Sequence, residues 1–250
     1  AIGFAPAVAL VGVAMLAVIG PLAWWYLRPT PAGLGVAPDG ANAAVCTPQA
    51  APAQPAASFT ELLSSRTFTT LSVSFALGMF AQIGTVAHFV TRLAPMVGVT
   101  YAAAALSMTT ASAIIGRMLL AALLGDADRR MAAAVNFIMQ ACGVILLAIG
   151  TAAITIFPGC VLFGLGVGNL LTLPPLIAQR EFPPDTVSRV VALVTAVNQA
   201  VFAFAPAVLG VLREVFGSYL VPFLAAAVIQ IIAASVVILG RRLAPAAQRP

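Results

Sequence analysis

Residues 68–92 read FTTLSVSFALGMFAQIGTVAHFVTR, and this stretch decides the class of fold. It carries no charge before Arg92. At a rise of about 1.5 Å per residue, a helix of this length crosses the ~30 Å hydrocarbon core of a bilayer. A strand of a membrane barrel would be about 10 residues long with strict alternation, and neither feature is present. The polar and small residues keep helical steps instead. Ser74, Gly78, Ala81, Thr85, His88 and Arg92 are separated by 4, 3, 4, 3 and 4 positions and share one face. Phe80, Ile83, Val86 and Val90 fall elsewhere on the helix.

Working outward, stretches of this kind recur. The predicted spans are roughly Phe4–Leu27, Phe68–Arg92, Tyr101–Leu124, Met131–Ile149, Ala152–Ile177, Val187–Leu212 and Tyr219–Gly240. Composition agrees: 62% of the 250 residues are hydrophobic and 8% are charged, with a mean hydropathy of +1.07. A soluble domain is about 25% charged. Too few charges remain to solvate a surface, so the apolar excess faces lipid, and the chain is an all-α integral membrane protein. The net charge of +5 does not point to nucleic acid, because the basic residues are scattered between apolar spans and not gathered on a polar domain. All 12 are Arg, a bias that with the abundant Ala points to a GC-rich bacterial genome.

Residues 28–67 differ in kind. Pro29, Pro31, Pro38, Pro48, Pro52 and Pro55 stand among Ala, Gly and Gln, which reads as an extended linker. Residues 58–63 form a short amphipathic lead-in to the second span, residues 68–240 a compact bundle of six spans, and residues 241–250 a tail. The opening Ala1-Ile2-Gly3-Phe4 has neither Met nor a basic leader, and the chain is expected to start mid-protein. Orientation follows from the basic residues, which stay on the cytoplasmic side. Arg28, Arg66, Arg117, Arg129, Arg130, Arg180, Arg189, Arg241, Arg242 and Arg249 fall on one side of a seven-span chain, and Arg92 and Arg213 on the other. The linker and the C-terminus are therefore expected in the cytoplasm.

The face of the second span admits two readings: a small-residue packing seam ending in a snorkelling Arg92, or the lining of a wet cavity. His88, the chain's one His, relays protons under the second reading and is a hydrogen-bonded core group under the first. In the third span Ser107, Thr110, Ile114 and Arg117 keep helical spacing, and Arg117 falls about two turns before the loop at Asp126. A charge at that depth needs a partner, either a loop acid or an anionic solute. Gly164 and Gly168 form a small-xxx-small pair for close helix packing, and Pro174 and Pro175 interrupt the same span. Thr195, Asn198 and Gln199 precede Pro206 in the sixth span, and their amides bond either across helices or to a ligand. Asn136 and Gln140, one turn apart, are expected to bond between helices.

Enzymatic signatures are missing: there is no H-E-x-x-H and no G-x-S-x-G, and the seven acids lie in or near connections. Cys46, Cys142 and Cys160 make no CxxC pair. No catalytic residue, cofactor or metal is expected.

Two connections carry a family resemblance. Residues 28–40, RPTPAGLGVAPDG, resemble the start of the central cytoplasmic loop of major facilitator superfamily transporters. Residues 116–130, GRMLLAALLGDADRR, are similar to the family's cytoplasmic loop signature, repeated between the second and third helices of each half. Gly116, Arg117, Arg129 and Arg130 match it. Gly125 stands where the acid is usual, and Asp126 or Asp128 is then the substitute. The resemblance implies a bundle of twelve helices in two halves, of which the seven spans are helices six to twelve and the amino-terminal half is a missing partner. It implies a secondary transporter in the plasma (inner) membrane that moves a small solute by alternating access, driven by solute gradients or protons. Within the family the second span and the Gly-Arg step are similar to the monocarboxylate and oxalate/formate branch, whose substrates are organic anions. On that implication Thr85, His88, Asn198 and Gln199 line this half's share of the cavity, with Arg117 near the cytoplasmic gate. Two other classes stay open on span count: a seven-helix receptor, and an oligomeric channel or permease subunit. A retinal pump does not, since the chain has no Lys for a Schiff base.

Overall fold

A computed structural model describes residues 4–27 and 59–243, and every described element is helical or a turn. Two units separate along the chain, residues 1–54 and 55–250. In the first, α1 (Phe4–Leu27) has Pro21 inside it and contains a short apolar helical stretch, Gly12–Trp25. Most of the Pro-rich linker and the tail from residue 244 lie outside the described residues.

The second unit holds α2 (Phe59–Ser64), α3 (Arg66–Val97), α4 (Val99–Leu124), α5 (Arg129–Ile149), α6 (Ala153–Val167), α7 (Leu173–Glu181), α8 (Pro184–Phe202), α9 (Ala205–Phe216) and α10 (Leu220–Leu243). Among the described residues six stretches are long and apolar enough to cross a membrane: α3, α4, α5, α6 with the 3₁₀ turn that follows it, α8 with α9, and α10. They correspond to the six predicted spans after the linker. The lead-in is helical as α2, and its Leu62 is buried in the bundle.

Local chemistry sets the boundaries. Ser65 caps α3 by accepting from the Phe68 amide at 3.2 Å, and Asp128 caps α5 by accepting from the amides of Arg130 and Met131. Two predicted spans are broken, each at a proline. Pro174 lies in the first turn of α7 and Pro206 in that of α9, where a missing N–H costs nothing. The chain therefore stops one helix and starts another at each place.

α10 packs along α5 and α3, α6 along α5 and α4, and α8 and α9 along α3. Between apolar helices in lipid the attraction comes from close packing and not from burial away from water. Glycine makes one crossing closer than any side chain would permit. A Cβ on Gly116 would run into the Leu165 carbonyl, and one on Gly164 into the Thr109 carbonyl, so α4 and α6 touch backbone to backbone. This is the packing role expected of Gly164.

Two apolar clusters fill the bundle. One gathers Phe68, Phe75, Phe137, Leu173 and Val237, and the other Phe89, Val144, Phe163, Leu209 and Phe223. An amide layer lies between them in sequence register on α5 and α10. Gln230 donates to Gln140 at 3.2 Å and to the Gly78 carbonyl at 3.4 Å, and both Gln are fully buried.

Candidate functional site

At one end of the bundle the Arg-rich connections meet. Arg130, at the start of α5, is 1% exposed and uses its whole donor set. Its Nε and Nη2 donate to the two carboxylate oxygens of Glu181 at 2.7 and 2.8 Å. Nη1 donates to Thr70 Oγ1 and the Val237 carbonyl, both at 3.2 Å, and Nη2 also to the Thr67 carbonyl at 3.1 Å. One guanidinium thus ties α3, α5, α7 and α10 together. Its planar fork fits a carboxylate bidentately and still reaches three oxygens, which a Lys ammonium could not do.

The other loop residues are arranged around this lock. Asp128 accepts from Arg241 Nε at 2.6 Å while it caps α5. Partial burial alone would raise the Asp128 carboxyl, but the Met131 and Arg130 amides and the Arg241 guanidinium outweigh it and hold the carboxyl below its usual range. Asp126 pairs with Arg180 at 3.3 Å on the exposed surface, a contact worth little. The Nε and Nη1 of Arg129 have no partner among the described residues. Gly116 serves packing, as above. Three of the motif's charges, Arg130, Asp128 and Asp126, therefore pair with Glu181, Arg241 and Arg180, partners that the sequence does not mark as such. The acid beside Arg180 at the end of a span was the signal available for Glu181.

The predicted pathway residues fall in two places. Thr85 is fully buried, its hydroxyl donating to the Ala81 carbonyl of its own helix at 2.8 Å. His88 Nε2 lies 2.9 Å from the Pro206 carbonyl, which only accepts, so Nε2 carries the hydrogen. Arg92 donates to the carbonyls of Ala148 and Gly150 at the end of α5. Together with Ser74, Gly78 and Ala81, which are also buried, this face of α3 packs inside the bundle. By contrast Gln199 and Thr195 are exposed on α8, beside the buried Asn198, whose Oδ1 has no partner among the described residues. On α4 Ser107, Thr110 and Arg117 are exposed on one side.

Arg117 meets neither a loop acid nor any other carboxylate among the described residues. Its Nη2 donates to the Gly168 carbonyl at 3.0 Å, at the 3₁₀ turn Gly168–Leu170 between α6 and α7. Side chains serve the carbonyls of this break: Asn169 Nδ2 donates to the Leu165 carbonyl and to Asn136 Oδ1, and Thr172 Oγ1 to the Gly168 carbonyl at 3.2 Å. Asn136 and Gln140 do bond between helices, as expected, to Asn169 and Gln230. An apolar groove of about 440 Å³ runs between the Arg-rich halves of α4 and α5, with Asn136 and Asn169 in its wall and Asp128 and Arg241 among its lining residues.

A helical bundle with six membrane-length spans among the described residues and polar side chains within the spans defines a polytopic membrane protein. The chain matches the family model of the Major Facilitator Superfamily over residues 1–206. It belongs to that superfamily, whose members are secondary transporters of small solutes. Among curated proteins the chain has no match.

Proposed function

We propose that this chain is the carboxyl-terminal half of a secondary transporter for a small organic anion, helices six to twelve of twelve, and that it works by alternating access. One observation carries the reading. Only 17% of the most apolar stretch of α4 and 22% of that of α8–α9 is buried, against 44–56% for the other four spans. The exposed sides of these two spans hold Ser107, Thr110, Arg117, Thr195 and Gln199. The three hydroxyls bond back to their own helices, but hydrocarbon solvates neither the Arg117 guanidinium nor the Gln199 amide, so we read this side as facing water or a second bundle. A cavity between two halves supplies both. Arg117 gives it a cationic group that pairs with no acid among the described residues, which favours an anionic solute over a cation. His88, bonded to the first turn of α9, ties α3 to that helix. The Arg-rich end is the cytoplasmic one, with the linker and the C-terminus on that side of the inner membrane.

The test is solvent access to single cysteines in native membranes, with Cys46, Cys142 and Cys160 replaced by Ala. A charged methanethiosulfonate reagent is expected to label Thr195→Cys and Gln199→Cys and to spare Val228→Cys, an exposed position on α10. Millimolar lactate or oxalate is expected to slow the labelling. Residues 195 and 199 as unreactive as 228 would place α8 against lipid and end the reading.

A further inference from the structure

We infer that Arg117 is a releasable latch on the break between α6 and α7, opened when an anion takes its guanidinium. This deepens the organic-anion reading of the same site and rests on it.

The break has the parts of a hinge. Gly166 precedes it, Gly168 opens it, Pro174 and Pro175 follow it, and the chain passes through a 3₁₀ turn with no continuous α-helical ladder. A helix that stops inside an apolar bundle leaves carbonyls without amide donors, and each needs a substitute. The Leu165 carbonyl is served by Asn169 on its own segment. The Gly168 carbonyl is served by Thr172 on its own segment and by Arg117 from α4. Of these donors to the break carbonyls, Arg117 is the one that comes from another span, so its bond holds the hinge to α4. It is also the one whose strength depends on a ligand. A carboxylate is a better acceptor for a guanidinium than a neutral carbonyl, by about a factor of two in strength. Arg117 is exposed, so an anion can reach it without first unpacking the bundle.

What the hinge carries gives the latch a consequence. α7 is a nine-residue rod with the break at one end and Glu181, held by Arg130, at the other. Freeing the Gly168 carbonyl removes the hydrogen bond that ties the break to α4 and leaves α7 held by Glu181, by the Asn169–Asn136 bond and by the packing of Leu173, Ile177 and Ala178. Anion occupancy at Arg117 is thereby transmitted to the Arg-rich end through one segment, and Arg117 acts as a positioning residue for α7 as well as an anion contact.

The experiment is hydrogen–deuterium exchange on the purified full chain in nanodiscs, comparing a peptide over residues 165–173 with one over residues 140–147 of α5. Lactate and oxalate are the probes, and their binding is measured in parallel by calorimetry. Arg117→Gln is expected to speed exchange in 165–173 about ten-fold, the loss of one charge-assisted bond, and to leave 140–147 unchanged. Arg117→Lys, which keeps the charge without the fork, should fall between. In the wild type, saturating anion should produce the same local acceleration, an effect that a purely structural arginine would not give and that needs no variant to fold. Anion binding without acceleration overturns the latch and leaves the anion reading standing. No binding of either anion overturns both. Unchanged exchange in Arg117→Gln overturns the latch whatever the anions do.

Discussion

Replacing Arg130 with Ala removes five hydrogen bonds at once, two of them to a carboxylate. Deleting one partner of a buried ion pair costs about 3–5 kcal/mol, because the other charge is stranded. Here the stranded group is Glu181, whose side chain is 16% exposed. Water reaches it, so the lower end applies, about 3 kcal/mol. The Thr67 and Val237 carbonyls lie within helices and lose a second donor only, which adds little. For a bundle of this size about 3 kcal/mol corresponds to a fall in melting temperature of roughly 6–12 °C. The chain offers its own reporter. Cys160 is fully buried, so in a Cys46→Ala, Cys142→Ala background a thiol-reactive dye reads unfolding of the bundle directly. Trp fluorescence would not, since Trp24 and Trp25 both lie on α1. Arg180→Ala is the control, because its pair with Asp126 is exposed and should leave the melting temperature unchanged. Arg130→Met with Glu181→Met should cost less than the two single changes added together, since no charge is left behind. An Arg130→Ala shift under 2 °C, or strict additivity in the double variant, would refute the lock.

Two further outcomes follow from the same geometry. The Asp128 carboxyl is held below its usual range, so its contribution to stability is full above the ordinary carboxylate pKa of about 4 and is lost as pH falls through the lower folded value. Asp128→Asn should therefore melt below wild type at pH 6, with the gap closing towards pH 3; a gap independent of pH would show that the charge plays no part. Gly116→Ala should cost about 1–3 kcal/mol by forcing α4 off the Leu165 carbonyl, whereas Gly12→Ala, with nothing within 4 Å, should be neutral in the same melting assay. Equal effects at the two positions would remove the case for backbone contact between α4 and α6.

Much of this architecture was legible before any coordinates. Apolar length marked the six spans of the bundle, because a bilayer demands roughly 20 such residues per helix. Pro174 and Pro175 marked the break between α6 and α7, since a residue without an N–H cannot continue a helix ladder, whereas the break at Pro206 came only from the structure. Gly164 announced close packing, and the one-turn spacing of Asn136 and Gln140 announced interhelical amides. The candidate site was less readable. Thr85 and His88 keep helical register with Arg92, and register alone does not say whether a face meets a cavity or a neighbouring helix. The structure turns that face inward and leaves Thr195 and Gln199 on the open side of α8. Gln230 is a lone amide in an apolar span and must find a partner, but nothing local says that the partner is Gln140.

The sequence by itself determined what is local: which segments are helical, where they start and stop, and that lipid is their solvent. These depend on residues within a turn or two of one another and on the chemistry of single side chains. Tertiary structure alone decided the pairings. Arg130 finds Glu181 and Arg117 finds the Gly168 carbonyl, each 51 residues away, and Arg241 finds Asp128 at 113. Several arginines and several acids were available to one another, and in sequence they are equivalent. Only the order in which the helices pack brings one donor within 3 Å of one acceptor, and in a low-dielectric interior that distance is what sets the energy.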